Sequence, residues 1–195
     1  MSNGSLEIIL GPMFSGKTTR LIELYQKFVT NSINVVAINY SLDTRYHDTM
    51  LSTHDKQLIP CIQCTDLTEI IGTSVVDNNS VILINEGQFF HDIYDVTLLL
   101  VEKYNKNVII CGLDGDFKRI KFGKLLDLLP FCDKVTKLHA ICDCGYPAIF
   151  SHRVTNETEQ VIIGSSNYKP LCRTCYNVAT ISNISNISNI NTIAI

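Results

Sequence analysis

The chain has 195 residues, 46% hydrophobic and 18% charged, a balance that excludes a disordered protein and allows one sizeable core with room for a small appendage. Its formal net charge of -3 argues against a general nucleic-acid binder, which carries a basic stripe. With no charged-then-apolar leader and no apolar run near ~20 residues, we expect a cytoplasmic, reducing setting without a membrane or nucleic-acid partner, where the eight cysteines read as metal ligands, core residues or reactive thiols before disulfides.

The first predicted element is a strand through Leu6, Ile8, Ile9 and Leu10, which leads directly into Gly11, Pro12, Met13, Phe14, Ser15, Gly16, Lys17 and Thr18. A glycine, four residues, then Gly-Lys-Thr is the phosphate-binding loop pattern, here set between a strand and a helical periodicity. A triphosphate needs several donors converging on its oxygens, and main-chain N–H groups can approach only where side chains are small, as at Gly11, Ser15 and Gly16. Lys17 adds a full charge for the outer phosphates, the following helix points its positive end at them, and the Thr18 hydroxyl is placed to ligate Mg²⁺.

Leu21, Ile22, Tyr25, Phe28 and Val29 recur at helical spacing up to Thr30, and Ile33 to Ile38 reads as a second buried strand. Asn39 to Pro60 is polar and irregular. Within it Arg45 lies just beyond a strand end, where it either complements a phosphate or pairs locally with Asp43 or Asp48. Cys61 and Cys64 sit in a strand-like run and read as packing residues rather than a redox or zinc pair, and Thr65 to Gly72 is a short helix opened by Asp66.

Val81 to Ile84 is a third strand that ends in Asn85 and Glu86. An apolar strand running into an acid is how phosphoryl-transfer sites handle Mg²⁺ or activate the attacking oxygen. Most such sites place an aspartate first; here Asn85 stands there without charge, so Glu86 is the sole carboxylate at this strand end. A helix over Ile93 to Tyr104 and a fourth strand, Val108 to Cys111, follow, giving a parallel α/β sheet with its loops at one edge. Lys118, Arg119 and Lys121, bracketed by Phe117 and Phe122, form either a solvated loop or a clamp over an anion. Leu125 to Leu129 is a short helix closed by Pro130, and Val135 to Leu138 a brief strand.

Beyond His139, Cys142 and Cys144 are followed by Cys172 and Cys175, with a ribbon predicted between them from Ala148 to Val154 and Gln160 to Ile163. Four thiolates at the base of a ribbon this small are what a structural zinc ion needs. The Cys142 pair has one intervening residue where a knuckle normally has two, so that main-chain N–H groups can turn toward the sulfurs. The expected organisation is a core over 1–138, a zinc-binding ribbon unit over 139–178 and a disordered Ile-Ser-Asn tail over 179–195.

In order, GPMFSGKTT, DTRY from Asp43, THD from Thr53, EGQFF from Glu86, GLDG from Gly112 and the late cysteines make the chain resemble the thymidine kinases of the cytosolic and poxvirus type, over about Leu6 to Tyr176. The resemblance implies an α/β, P-loop NTPase-like core with a zinc-knuckle lasso. It implies transfer of the γ-phosphoryl group of ATP to the 5′-hydroxyl of thymidine or deoxyuridine, a source of thymidine monophosphate for DNA synthesis.

Carried onto this sequence, the resemblance gives residues 11 to 18 and Arg45 the donor phosphates, Thr18 and the Asn85 position Mg²⁺, and Glu86 the role of general base. It assigns the nucleoside to Met13, Phe89, Leu113, Phe117, Phe122, Ser151 and a lasso loop of Val161, Ile162, Ile163, Gly164 and Tyr168. It also implies structural Zn²⁺ on Cys142, Cys144, Cys172 and Cys175, a homotetramer, and feedback inhibition by thymidine triphosphate. Three positions depart from the family pattern: Asn85 for aspartate, Ser151 for threonine, and the shortened Cys142 pair. Of the alternatives, a GTP-driven switch lacks an Asn-Lys-x-Asp stretch, and a zinc-ribbon nucleic-acid-binding ATPase is opposed by the acidic balance.

Overall fold

The computed structural model describes residues 3–41, 50–52, 57–162, 164 and 166–180. β1 (Ser5–Leu10) runs into the phosphate loop and α1 (Lys17–Thr30), and β2 (Val35–Tyr40) returns as a strand of the same sheet, with two strands between it and β1. A hairpin of β3 (Met50–Ser52) and β4 (Leu58–Pro60) leads to β5 (Ile62–Cys64), then α2 (Ser74–Asn78), β6 (Val81–Ile84), α3 (Ile93–Leu98), β7 (Asn107–Gly112) and β8 (Lys134–Lys137). The six-stranded sheet has the order β5-β2-β6-β7-β1-β8, and every ladder in it is parallel.

Period-two alternation on the central strands builds two cores. Leu6, Ile8, Ile82, Ile84, Val108 and Ile110 face one side with Phe90 and Ile93, while Ile9, Leu83, Ile109 and Cys111 face the other against Leu21 and Ile22 of α1. Burial on both faces is why these strands read as continuous apolar runs in the sequence. Cys64 packs in the first core and Cys61 against the second, so the pair lies on opposite faces and shares no ion. Burial pushes their thiols up to about 12 and about 11, respectively, which leaves both protonated and inert.

Three local expectations are refined. The stretch taken as irregular holds the β3–β4 hairpin, whose Leu51 and Ile59 are buried under α1's core. The helix from Ile93 widens to a π-helical turn over Leu99–Lys103, and Leu125–Phe131 is a 3₁₀ segment that contains Pro130 rather than stopping at it. Arg45 and the clusters around Asp43 and Thr53 lie outside the described residues, as do Ile163 and 181–195.

The smaller unit comprises β9 (Ala140–Ile141) paired with β10 (Pro147–Ala148), β11 (Phe150–Arg153) paired antiparallel with β12 (Tyr168–Leu171), and a closing helix, α4, over 173–180. The ribbon therefore differs from the expected one: Arg153 pairs with Tyr168, not with a strand beginning at Gln160. The cause is Arg153 itself. Its guanidinium is buried and donates to the carbonyls of Glu157, Glu159 and Gln160, gathering that segment into a loop and removing it from any ladder. α4 runs through Thr180, past the boundary expected at 178.

Candidate active site and cysteine centre

The phosphate loop turns on Gly16, which adopts a left-handed φ of 80° as it caps α1. Lys17 is buried, with its ammonium donating to the Pro12 carbonyl at 2.7 Å inside the loop. Ser15 Oγ is also buried and has no hydrogen-bond partner among the described residues. A buried hydroxyl left without a partner at a helix N-terminus fits an anion with spare acceptor oxygens, such as a nucleotide phosphate.

Just behind the loop, Thr18 Oγ1 donates to Asn85 Oδ1 across 3.3 Å, so the first turn of α1 touches the tip of β6. Asn85 is 2% exposed and every polar atom of its side chain is used. Its Nδ2 donates to Asn39 Oδ1 at 2.7 Å, Asn39 passes a bond to Gln63 at 3.2 Å, and the Cys111 thiol donates to Asn85 Oδ1 at 3.0 Å. Burial, more than the nearby Glu86 charge, pushes Cys111 up to about 12, which keeps it an S–H donor at neutral pH. The Thr18 hydroxyl gives its proton to Asn85 and keeps its oxygen lone pairs, a hard donor of the kind Mg²⁺ takes, while Asn85 Oδ1 already accepts from Thr18 and Cys111 and orients that hydroxyl.

Glu86 follows at once and holds a left-handed backbone, φ 54° and ψ 43°, uncommon for a residue with a side chain and costing about 1–2 kcal/mol. The next residue must be glycine, because a Cβ at Gly87 would stand 2.5 Å from Ile110 Cγ2. The turn brings Gln88 back onto the acid. Gln88 is 3% exposed, its Nε2 donates to Glu86 Oε2 at 2.6 Å, and its Oε1 accepts from the Leu113 N–H at 3.0 Å. One buried amide thus ties the carboxylate at the end of β6 to the loop leaving β7.

Around this point the residues expected at the nucleoside come together in part. Phe89 stacks on Tyr40 with centroids 5.3 Å apart and meets Phe122 edge-on at 5.3 Å. The Met13 N–H donates to Ser151 Oγ at 2.9 Å, joining the phosphate loop to β11. Phe117 lies under the Arg153 guanidinium, 3.7 Å from its ring centroid, and the same guanidinium donates to the Tyr168 hydroxyl. Val161 is half exposed on the loop, beside Ile162 and Gly164. The cationic run does not converge on one point: Lys121 pairs with Asp127 at 2.8 Å, Lys118 reaches the Thr158 carbonyl, and Arg119 lies over the Tyr176 ring.

The four late cysteines do converge, with all their sulfurs within 4.8 Å of one another. Cys144 Sγ and Cys172 Sγ are 3.6 Å apart, far beyond a disulfide bond and near the ~3.8 Å edge of a tetrahedron built on ~2.3 Å Zn–S bonds. The shortened pair still receives its N–H groups. Main-chain N–H bonds from Cys144 and Cys172 pull the Cys142 thiol down to about 6, and the Cys175 N–H reaches Cys172 Sγ at 3.5 Å. Because the turn at Cys142 recruits a donor from the other pair, one intervening residue suffices. The donor set fits a structural zinc ion with no open position.

A family model described as thymidine kinase matches residues 4–176 of this chain. The chain belongs to the thymidine kinase family. Among curated relatives, a thymidine kinase of Oryza sativa subsp. japonica is 42% identical over 89% of this chain and 66% of its own length, and thymidine kinase a of Arabidopsis thaliana is 38% identical over 89% and 75%. The thymidine kinase of Monkeypox virus is 40% identical over 90% of this chain and 98% of its own.

Within the thymidine kinase family framework, four groups that hold the site together were not singled out from the sequence: Asn39, Gln88, Cys111 and Arg153. Asn39 and Gln88 carried one usable signal, an uncharged amide set among residues otherwise destined for the core. Cys111 and Arg153 carried none, since a cysteine in a strand and an arginine after a histidine are ordinary.

Proposed function

We propose that this chain is a thymidine kinase that moves the γ-phosphoryl group of ATP to the 5′-hydroxyl of thymidine or deoxyuridine. The observation that carries the reading is the Thr18–Asn85 contact, which sets the strand end bearing Glu86 beside the phosphate loop. In this reading the main chain from Gly11 to Gly16, the Ser15 hydroxyl and Lys17 hold the donor phosphates, with Arg45 assisting them. Mg²⁺ held near Thr18 and Asn85 supplies charge neutralisation of the phosphates.

Glu86 takes the proton of the 5′-hydroxyl as its oxygen bonds to the γ-phosphorus; the bond from that phosphorus to the β–γ bridging oxygen breaks, and ADP leaves. Gln88 aims the accepting oxygen. Phe89, Phe122 and Phe117 offer apolar faces to the pyrimidine, with Met13, Leu113 and Ser151 at its edges, and the loop carrying Val161, Ile162, Ile163 and Gly164 up to Tyr168 closes over it and excludes water. Zinc on the four cysteines holds that loop's base in register. The chain accordingly divides into a catalytic core over 1–138 and a lasso unit over 139–178, and a homotetramer inhibited by thymidine triphosphate accompanies the activity.

Incubation with ATP, Mg²⁺ and each deoxynucleoside tests the reading: thymidine and deoxyuridine are converted to monophosphates and the purine nucleosides are not. Glu86→Gln lowers turnover by roughly 10²–10⁴-fold while thymidine still binds, as expected for loss of a general base. Conversion of purines at the same rate, or an active Glu86→Gln variant, overturns it.

A further inference from the structure

We propose that Asp66, His91 and Asp92 form a second metal site, separate from the cysteine centre and the phosphate loop, that takes a divalent transition-metal ion. One ligand atom from each of the three lies within 4.8 Å of the others. His91 Nδ1 stands 2.9 Å from Asp66 Oδ1, close to the ~3 Å edge of an octahedral shell built on ~2.1 Å bonds. An exposed histidine and aspartate would by themselves be an ordinary surface pair.

Asp92 makes the difference. It is 8% exposed, its Oδ2 is fixed by the Thr68 N–H at 2.8 Å, and its Oδ1 is buried with no hydrogen-bond partner among the described residues. A buried carboxylate oxygen left unsatisfied costs more than a neutral polar group would, and a cation held by the Asp92 carboxylate together with His91 and Asp66 would relieve it. The surroundings reinforce the demand for positive charge. Asp66 is held by Thr65 Oγ1 at 3.0 Å, Glu69 accepts from the Asp66 N–H at 3.2 Å, and the cluster's single imidazole can balance at most one of its two carboxylates. One imidazole nitrogen with two carboxylate oxygens is a donor set for Mn²⁺, Fe²⁺, Co²⁺ or Zn²⁺ rather than for Ca²⁺.

Topology gives the site a consequence. Asp66 follows β5 and His91 and Asp92 follow the turn after β6, so both connections leave the carboxyl edge of the same sheet. An ion there ties the connection that carries Glu86 and Phe89 to the edge strand, without touching either residue.

Cobalt binding tests the proposal on the full chain, nucleotide-free and with its cysteine centre already filled with zinc. Equilibrium dialysis against Co²⁺ should find a single further ion per chain, with the weak visible bands of oxygen and nitrogen ligation and none of the intense sulfur charge-transfer absorption. His91→Ala, at a position whose side chain is 77% exposed, and Asp92→Asn should each abolish that equivalent while retaining zinc at the cysteines. Native chain should also melt at a higher temperature with Co²⁺ than without, a shift that His91→Ala lacks. Undiminished Co²⁺ uptake by His91→Ala, or no saturable uptake by the native chain, overturns the proposal; should Asp92→Asn fail to fold, His91→Ala decides alone.

Discussion

The Met13 N–H donates to Ser151 Oγ over 2.9 Å, a bond between residues far apart in sequence that fastens the phosphate loop to the ribbon of the smaller unit. Because Ser151 is 4% exposed, water cannot replace its oxygen easily. Ser151→Ala should therefore destabilise the chain by about 1–3 kcal/mol. It should also raise KM for ATP and thymidine together, since one bond serves both halves of the site. Ser151→Thr keeps the hydroxyl and should restore both constants; steady-state kinetics with each substrate varied in turn provide the check.

Gln88 stands between Glu86 and the Leu113 N–H. Gln88→Leu fills a similar volume but removes one donor from the Glu86 carboxylate and strands the Leu113 N–H. We expect kcat to fall by roughly 10–10²-fold, less than for loss of the acid itself, with KM for ATP unchanged. A parallel rise in KM for ATP would mean that the amide supports the phosphate loop instead.

Asn85→Asp should lower the Mg²⁺ concentration needed for half-maximal rate, because it adds a charge beside the Thr18 hydroxyl. It should also cost about 1–3 kcal/mol in stability, since Asn85 donates to Asn39 Oδ1 and a carboxylate would oppose that oxygen. The cost is limited because the amides of Asn39 and Gln63 can rotate in series, ending at the Cys61 sulfur, 3.4 Å from Gln63. Metal titration of the rate and thermal melting separate the two effects.

In metal-free protein, main-chain N–H bonds hold the Cys142 thiol down at about 6, against near 9 for an unfolded thiol. The folded state thus holds the thiolate more readily, so Cys142 contributes stability that is full above about 9 and is lost as the pH falls through about 6. Melting temperature should climb between these limits relative to Cys142→Ser, in which the slope is absent. Zinc retention should share the same acid limit, because protons and metal compete for one sulfur.

Much of the core was legible because burial on both faces leaves a plain record: β1, β6 and β7 are apolar runs, each ending in residues of the site. Their order in the sheet left no such record, since each strand makes the same kind of ladder with any parallel neighbour. The second strand of the ribbon was misplaced for a related reason. Val161 and Ile162 look like a strand, but the choice was made by a buried guanidinium several residues upstream that captures carbonyls, and its capture depends on three-dimensional proximity. Glu86 could be found as the lone acid at a strand end; that its backbone is left-handed and its oxygen aimed by Gln88 could not, because both follow from how tightly Gly87 packs on Ile110.

β7 lies between β1 and β6 in the sheet. Neighbouring strands are ~4.8 Å apart, so the roots of the phosphate loop and of the acid are separated by about 9.6 Å of rigid backbone. That interval acts as a ruler for the acceptor: the sugar alcohol must fit a gauge fixed by hydrogen-bonded main chain, which no side-chain substitution around the pocket can narrow. Mutagenesis can retune which base is welcomed there, but the distance the alcohol must bridge is set by the fold.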